Sequence, residues 1–384
     1  VRVQSGASRA VALVGGVYGG IVIGWQRFDL SNLAEIAIGV VRAVAIVVAL
    51  KIGYGLVALG FIQLGVSGLR GLVSYILSRR LYPELRASVY ECRRSNLMMV
   101  FSFSGSVLLL QASGMLILFS DSIVIGASLP IGMVTFFAIA ATLTEYARAP
   151  ISGISQTLTP SASALEADNE DDELKRVMLA GARIATLVAL PIILTFMLRG
   201  HSFIGLWMGE EYAGPSGDVL WVLSLALWFA VGYQIVVATM MGISKHNGLV
   251  PAFIVEAICN ISLSLVWIQS FGIIGVAWGT TAPRLIASTI FCPWYVQRVM
   301  GIPFSRFWFT VWIRPAVAMV PFALASWFIE ERWPADNLLI YFAQVAAALP
   351  LAALGTWVFS LTPAEKNRLL PPGSFGRLVS RMAG

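Results

Sequence analysis

The sequence predicts an all-α polytopic membrane protein, and three observations carry that prediction. The 384 residues are 58% apolar and only 12% charged, with a mean hydropathy of +0.81, whereas soluble domains carry about 25% charged residues. Apolar runs approaching the roughly 20 residues needed to cross the hydrocarbon recur along the whole chain. Lys and Arg are dense in alternate connections between those runs and sparse in the others. The net charge of +6 is spread over connections and tail, so nucleic acid is not an expected partner. Three cysteines and two histidines without CxxC or HxxxH spacing predict neither a metal site nor a disulfide framework. No cofactor is expected, and no signal-peptide pattern follows Val1.

Eleven spans follow in order: 10–25, 34–51, 55–78, 97–125, 131–157, 182–200, 218–241, 249–268, 272–296, 308–329 and 338–360. The first carries Gly15/Gly19, Gly16/Gly20 and Gly20/Gly24, GxxxG pairs suited to close helix contacts. The second holds Arg42 inside the membrane, and the third ends near Arg70. In 97–125, Ser104, Gln111, Gly114 and Asp121 recur by 7, 3 and 7 along one helical face. In 131–157, Thr142, Glu145, Ser152 and Gln156 form a stripe; Arg148 is one turn from Glu145, and Pro150 marks a bending point. Span 182–200 opens at Arg183, which reads as a positive-inside anchor, and closes at Arg199 on its edge. In 249–268, Glu256, Asn260 and Ser264 are spaced by four; in 272–296, Thr281, Arg284 and Ser288 are spaced by 3 and 4. Four helices with polar stripes on apolar bodies are what a shared aqueous cavity needs.

Counting Lys and Arg in alternate connections gives fifteen against five. The rich set holds Arg27, Arg79, Arg80, Arg86, Arg93, Arg94, Lys175, Arg176, Lys245, Arg298, Arg306 and the tail's Lys366, Arg368, Arg377 and Arg381. The positive-inside rule makes that set, and the C-terminus, cytoplasmic. Eleven spans then put residue 1 outside, which suits a chain preceded by an odd number of helices. A weak repeat at an offset of 218 agrees: Gly24 meets Gly242, Arg27 meets Lys245, Arg42 meets Asn260, and Arg80 meets Arg298. The later unit covers six helices, 97–296, and the earlier lacks its first three, roughly 120 residues by this offset. Six being even, the two units share one orientation. The expected divisions are 1–94 (second half of a first lobe), 95–300 (a complete six-helix lobe), 301–362 (two further helices) and 363–384 (a basic tail).

The stretches "FSDSIVIGASLPIGMVTFFAIAATL", "ISQTLTPSASALEADNEDDELKRVM", "IGLWMGEEYAGPSGDVLWVLS" and "GIIGVAWGTT" carry a resemblance. In their order and spacing the chain resembles bacterial Wzx-type polysaccharide-repeat flippases, within the multidrug/oligosaccharidyl-lipid/polysaccharide exporter superfamily. The likeness runs from about residue 20 to 360. It implies two six-helix lobes about a central cavity plus two added helices, fourteen spans in all, truncated here at the front. It implies a bacterial inner-membrane location and transfer of an undecaprenyl-pyrophosphate-linked oligosaccharide to the outer leaflet, in lipopolysaccharide or O-antigen synthesis. The implied partners are the lipid-linked oligosaccharide, the bilayer, a polysaccharide polymerase and a chain-length regulator.

The candidate residues keep two readings each. Arg42, Arg284 and Arg148 are the cavity cations that suit pyrophosphate or acidic sugar, since Arg keeps its charge and binds phosphate bidentately; snorkelling or pairing with a carboxylate competes. Glu145 and Arg148 are close enough for an i,i+3 pair, which does not exclude a cavity role. Glu256 is either a cavity carboxylate or glue between helices. Gln111 and Asn260 are expected to be polar cavity residues. Asp121, 24 residues past Leu97 and so roughly 36 Å along its helix, belongs near the outer mouth, as a helix-end residue, a substrate or cation contact, or an ion-coupling carboxylate.

Transport without catalysis is the expected activity. No GxxxxGK[ST] loop is present, so drive would come from ion coupling, the membrane potential or consumption of the product. A cation-coupled drug exporter of the same superfamily is the alternative, disfavoured by the arginines within spans. A membrane polymerase or ligase is a third reading; the longest outer connection, 201–217, offers it only His201, Glu210 and Glu211.

Overall fold

A computed structural model of the chain describes residues 15–25, 27–54, 56–84, 94–362 and 365–366. Arg2, Arg9, Arg86, Arg93 and all of the basic tail except Glu365 and Lys366 lie outside them. The chain divides into two compact units, Val1–Met99 and Val100–Gly384.

The first unit holds α1 (Gly15–Gly24), α2 (Phe28–Lys51) and α3 (Leu56–Leu81). α1 meets α3 where a Cβ on Gly15 would lie 2.7 Å from the Gly71 Cα, and where Tyr18 stands edge-on to Tyr75 at 5.1 Å. Of the GxxxG pairs, Gly15/Gly19 faces a neighbouring helix, while Gly16, Gly20 and Gly24 meet nothing within 4 Å. The expected close contact is therefore confined to one face, because no described helix covers the other. Arg70 and Glu35 tie α3 to α2 at 2.6 Å.

The second unit starts within α4 (Arg94–Ser128) and continues through α5 (Gly132–Ala167), α6 (Asp171–Met208), α7 (Glu210–Gly242) and α8 (Val250–Ile286). After α9 (Cys292–Met300) and the short α10 (Phe304–Trp308) come α11 (Arg314–Arg332) and α12 (Leu338–Gly355). The run "EADNEDDELKR" supplies both a stop and a start. Asn169 takes a left-handed φ of 57°, and α6 opens on Asp171, Asp172 and Glu173, which favour a helix N-terminus. α8 reverses at Gly272 (φ 59°, ψ −139°), separating the sequence spans 249–268 and 272–296 into two arms of a hairpin. Those arms touch through glycines: a Cβ on Gly279 would fall 2.7 Å from the Ser264 nitrogen.

Eight described helices are long and apolar enough to cross a membrane. The chain is an all-α polytopic membrane protein. α5 is long enough but is not among the eight, although 131–157 was expected to span; its polar residues lower its hydropathy. Outward apolar side chains such as Leu324, Trp327, Leu339 and Val358 are more than half exposed, as a hydrocarbon surround allows. Inside, α5, α6 and α7 make the central core, and α6 packs α11 and α12 through Leu187, Leu190, Ala318, Phe322 and Ala348. Residues 301–362 thus lie in the same unit as 100–300.

Two arginines on α6 fasten these last helices. Arg183 is buried, donates to the Ser360 carbonyl at 3.2 Å and pairs with Glu365. Arg199, 1% exposed, pairs with Glu330 at 2.7 Å and donates to Gln344 at 2.5 Å. Arg183, read from the sequence as a positive-inside anchor, and Arg199, placed there only at a helix edge, each have a carboxylate partner from a later part of the chain.

Candidate functional site

α4, α5, α7 and both arms of α8 line a cavity of about 590 Å³ within the second unit. Its polar wall is built from Gln111 and Asp121 on α4, Thr144, Glu145 and Arg148 on α5, Tyr233 and Gln234 on α7, and Thr280 and Arg284 on α8. The rest is apolar: Val107, Leu110, Phe137, Leu223, Val237 and Phe253 among others. Helical spacing explains the α4 side, since Gln111, Gly114 and Asp121 recur on one face and all three reach the wall. On α5 the wall is shifted from the expected stripe: Thr144 lines it, whereas Thr142 is exposed.

Depth can be read along the helices. Asp121 stands seven residues before Ser128, about 10 Å from that end of the bundle. Arg284 is twelve residues past Gly272 and Arg148 sixteen past Gly132, about 18 Å and 24 Å from the same end. Asp121 therefore lies toward a mouth, and the arginines lie deeper.

The hydrogen-bond partners of Asp121 are a hydroxyl and an amide. Thr280 donates its hydroxyl to Oδ2 at 2.6 Å, and the Asn260 amide reaches Oδ1 at 3.5 Å. Asn260 also contacts Thr280 at 2.7 Å and accepts from Ser120 at 2.9 Å. Asn260 itself is fully buried behind the wall. Such a neighbourhood suits a proton or a hard cation. Among the described residues no group of three His, Cys, Asp or Glu is placed to hold a metal ion.

The deeper part holds two ion pairs. Arg284 Nε lies 2.5 Å from Glu256 Oε1, a contact close in distance but without hydrogen-bond alignment. Glu256 is 2% exposed and stands behind the wall; Arg284, at 15%, reaches it. Arg148 and Glu145 are 3.3 Å apart, one turn of α5 from each other, and both open into the cavity. Buried charge in a membrane interior is costly unless paired, and here each cation has its carboxylate.

Of the sequence candidates, Arg148, Arg284, Glu145, Asp121 and Gln111 line one cavity, with Glu256 and Asn260 directly behind it. Arg42 lies in the other unit, exposed on α2 and without an ion pair among the described residues. Sequence reasoning missed Thr280, Tyr233 and Gln234. The adjacent Tyr-Gln in the otherwise apolar 218–241 run was a usable signal for the last two.

A family model described as polysaccharide biosynthesis protein matches residues 25–217, just over half of the chain, from α2 through α6 into the start of α7. No curated protein is a significant match. The matched stretch includes Gln111, Asp121, Glu145 and Arg148 and stops short of Glu256 and Arg284. With an all-helical membrane architecture around a charged cavity, and a family match over half its length, the chain belongs to the polysaccharide biosynthesis protein family.

Proposed function

We propose that the protein is a flippase that carries undecaprenyl-pyrophosphate-linked oligosaccharide repeat units across the bacterial inner membrane by alternating access. The observation that supports this most is the pair of cavity arginines, Arg148 and Arg284, set in a wall that is mostly apolar. Guanidinium groups keep their charge in low dielectric and match phosphate with a fork of donors. The apolar remainder suits a polyprenyl chain or the less polar sugar faces. Membership of a polysaccharide biosynthesis family supplies the substrate class. The Lys and Arg distribution favours a cytoplasmic C-terminus, so Asp121 would sit toward the outer mouth and the arginines within reach of either side.

In this reading the chain makes and breaks no covalent bond. Its residues bind, orient and release. Arg148 and Arg284 hold the pyrophosphate, Gln111 and Gln234 offer hydrogen bonds to sugar hydroxyls, and Asp121 with Asn260 and Thr280 is the place where an ion would couple to the cycle. Arg284→Ala combined with Glu256→Gln, which strands no buried charge, should lower surface polysaccharide roughly tenfold or more, as losing a charged hydrogen-bond partner implies, with membrane expression unchanged. A drug-resistance assay run beside it should show no change. Normal glycan export, or a drug phenotype in its place, would remove the reading.

A further inference from the structure

The two ion pairs of the cavity have the same chemistry and different freedom. Glu256 and Arg284 are 2% and 15% exposed, and Glu256 has no access to the cavity. Separating them strands a charge in the interior, which is costly. Glu145 and Arg148 are 41% and 37% exposed, both on the wall, and meet at 3.3 Å through a single guanidinium nitrogen. That pair opens at less cost than Glu256 and Arg284, because both side chains face the cavity and not the packed interior. Arg284 and Glu256 lie within electrostatic range of Arg148, so the four charges form one cluster that sums to zero. An anion entering it gains little unless one carboxylate gives way. Asp121 is held by Thr280 and Asn260, and Glu256 by its burial.

We propose that Glu145 is a displaceable counter-ion. It occupies Arg148 while the cavity is empty, yields it to a phosphate of the substrate, and returns to Arg148 as the phosphate leaves. The inference rests on the flippase reading for the identity of the anion. Arg148 remains on a helix wall throughout, and its guanidinium donates no hydrogen bond to Glu145, so a bidentate phosphate is the better partner when present. Glu145 thereby weakens binding and speeds release, which a carrier needs from a site that must also let go. Glu145 is a positioning residue, acting through Arg148.

The test is binding to the purified full chain in lipid nanodiscs, with inorganic pyrophosphate and undecaprenyl pyrophosphate as probes. Glu145→Gln and Glu145→Ala should each bind inorganic pyrophosphate about tenfold tighter and release it more slowly, since one nearby negative charge is gone. The gain should vanish when Arg148→Gln is added. A defect of folding cannot produce tighter binding. Equal or weaker binding in both Glu145 variants, a gain that survives Arg148→Gln, or no binding by any variant overturns the proposal. The lipid arm separates the two readings. If wild type holds undecaprenyl pyrophosphate no better than undecaprenol while the Glu145 gain persists for inorganic pyrophosphate, the exchange stands and the flippase reading falls.

Discussion

Arg199 and Arg284 are both withdrawn from solvent, both on long apolar helices and both against a glutamate, yet their surroundings differ. Arg199 uses Nε on Glu330 and Nη2 on Gln344, and its guanidinium lies 4.6 Å from the centre of the Tyr341 ring. Glu330 in turn accepts from the Ser202 hydroxyl. This group is not part of the cavity wall; it joins α6 to α11 and α12. Arg284 has one carboxylate, without hydrogen-bond alignment, and faces a space of about 590 Å³. A buried cation whose donors are satisfied acts as a fastener. One with unused donors beside a cavity is free to take a ligand.

The largest effect that would break this contrast is on stability. Arg199→Ala leaves Glu330 short of its cation and should cost about 3–5 kcal/mol, read as a lowered thermal midpoint and reduced yield of folded membrane protein. Arg199→Met combined with Glu330→Leu should recover most of it, because a buried pair replaced by apolar groups is often neutral. Arg284→Ala combined with Glu256→Gln, which strands no charge, should do the reverse, retaining fold and losing export. An Arg199→Ala protein that folds normally but exports nothing would make the fastener a site.

A middle-sized effect tests how the cavity wall is held. Gly279 allows the two arms of α8 to touch, since a Cβ there would lie 2.7 and 2.8 Å from the Ser264 nitrogen and Cα. Backbone cannot swing aside as a side chain can. Gly279→Val should therefore part the arms at about 1–3 kcal/mol and separate Thr280 and Asn260 from Asp121, lowering export along with the thermal midpoint. Retained export would show that the Asp121 cluster is dispensable.

What the sequence revealed follows what is local. The α4 face and the Glu256–Asn260–Ser264 spacing were visible because helical periodicity is written into adjacent residues. Span 182–200 became the longer α6 because hydropathy marks only the hydrocarbon-length part, whereas the helix runs on through its acidic first turn. Partners across helices were invisible: Asp121 and Asn260 are 139 positions apart, and Arg199 and Glu330 are 131. The partners of Arg183 and Arg199 were hidden for the same reason. A lone cation near a span end gives no local sign of whether it faces headgroups or a glutamate from a distant helix.

The smallest effect sharpens the contrast at the other fastener, Arg183 with Glu365. Partial burial pushes the Glu365 carboxyl up, but the Thr362 backbone N–H and hydroxyl and the Arg183 guanidinium outweigh it and hold the group below its usual value of 4.5. A folded value below the unfolded one means the stabilisation is complete above pH 4.5 and fades as pH falls through the folded value. Acidification should thus loosen the segment after α12 from α6. Glu365 is about one-third exposed, so solvent screens the pair and the whole effect should be about 0.2–1 kcal/mol. Thermal midpoints of wild type and Glu365→Gln, measured from pH 7 to pH 3, should differ at neutral pH and converge in acid. Because Arg183 keeps its bond to the Ser360 carbonyl, the variant should fold and export normally. A gap between the two proteins that widens on acidification would mean that Glu365 is held protonated, and that the end of α12 is fastened by the Ser360 carbonyl alone.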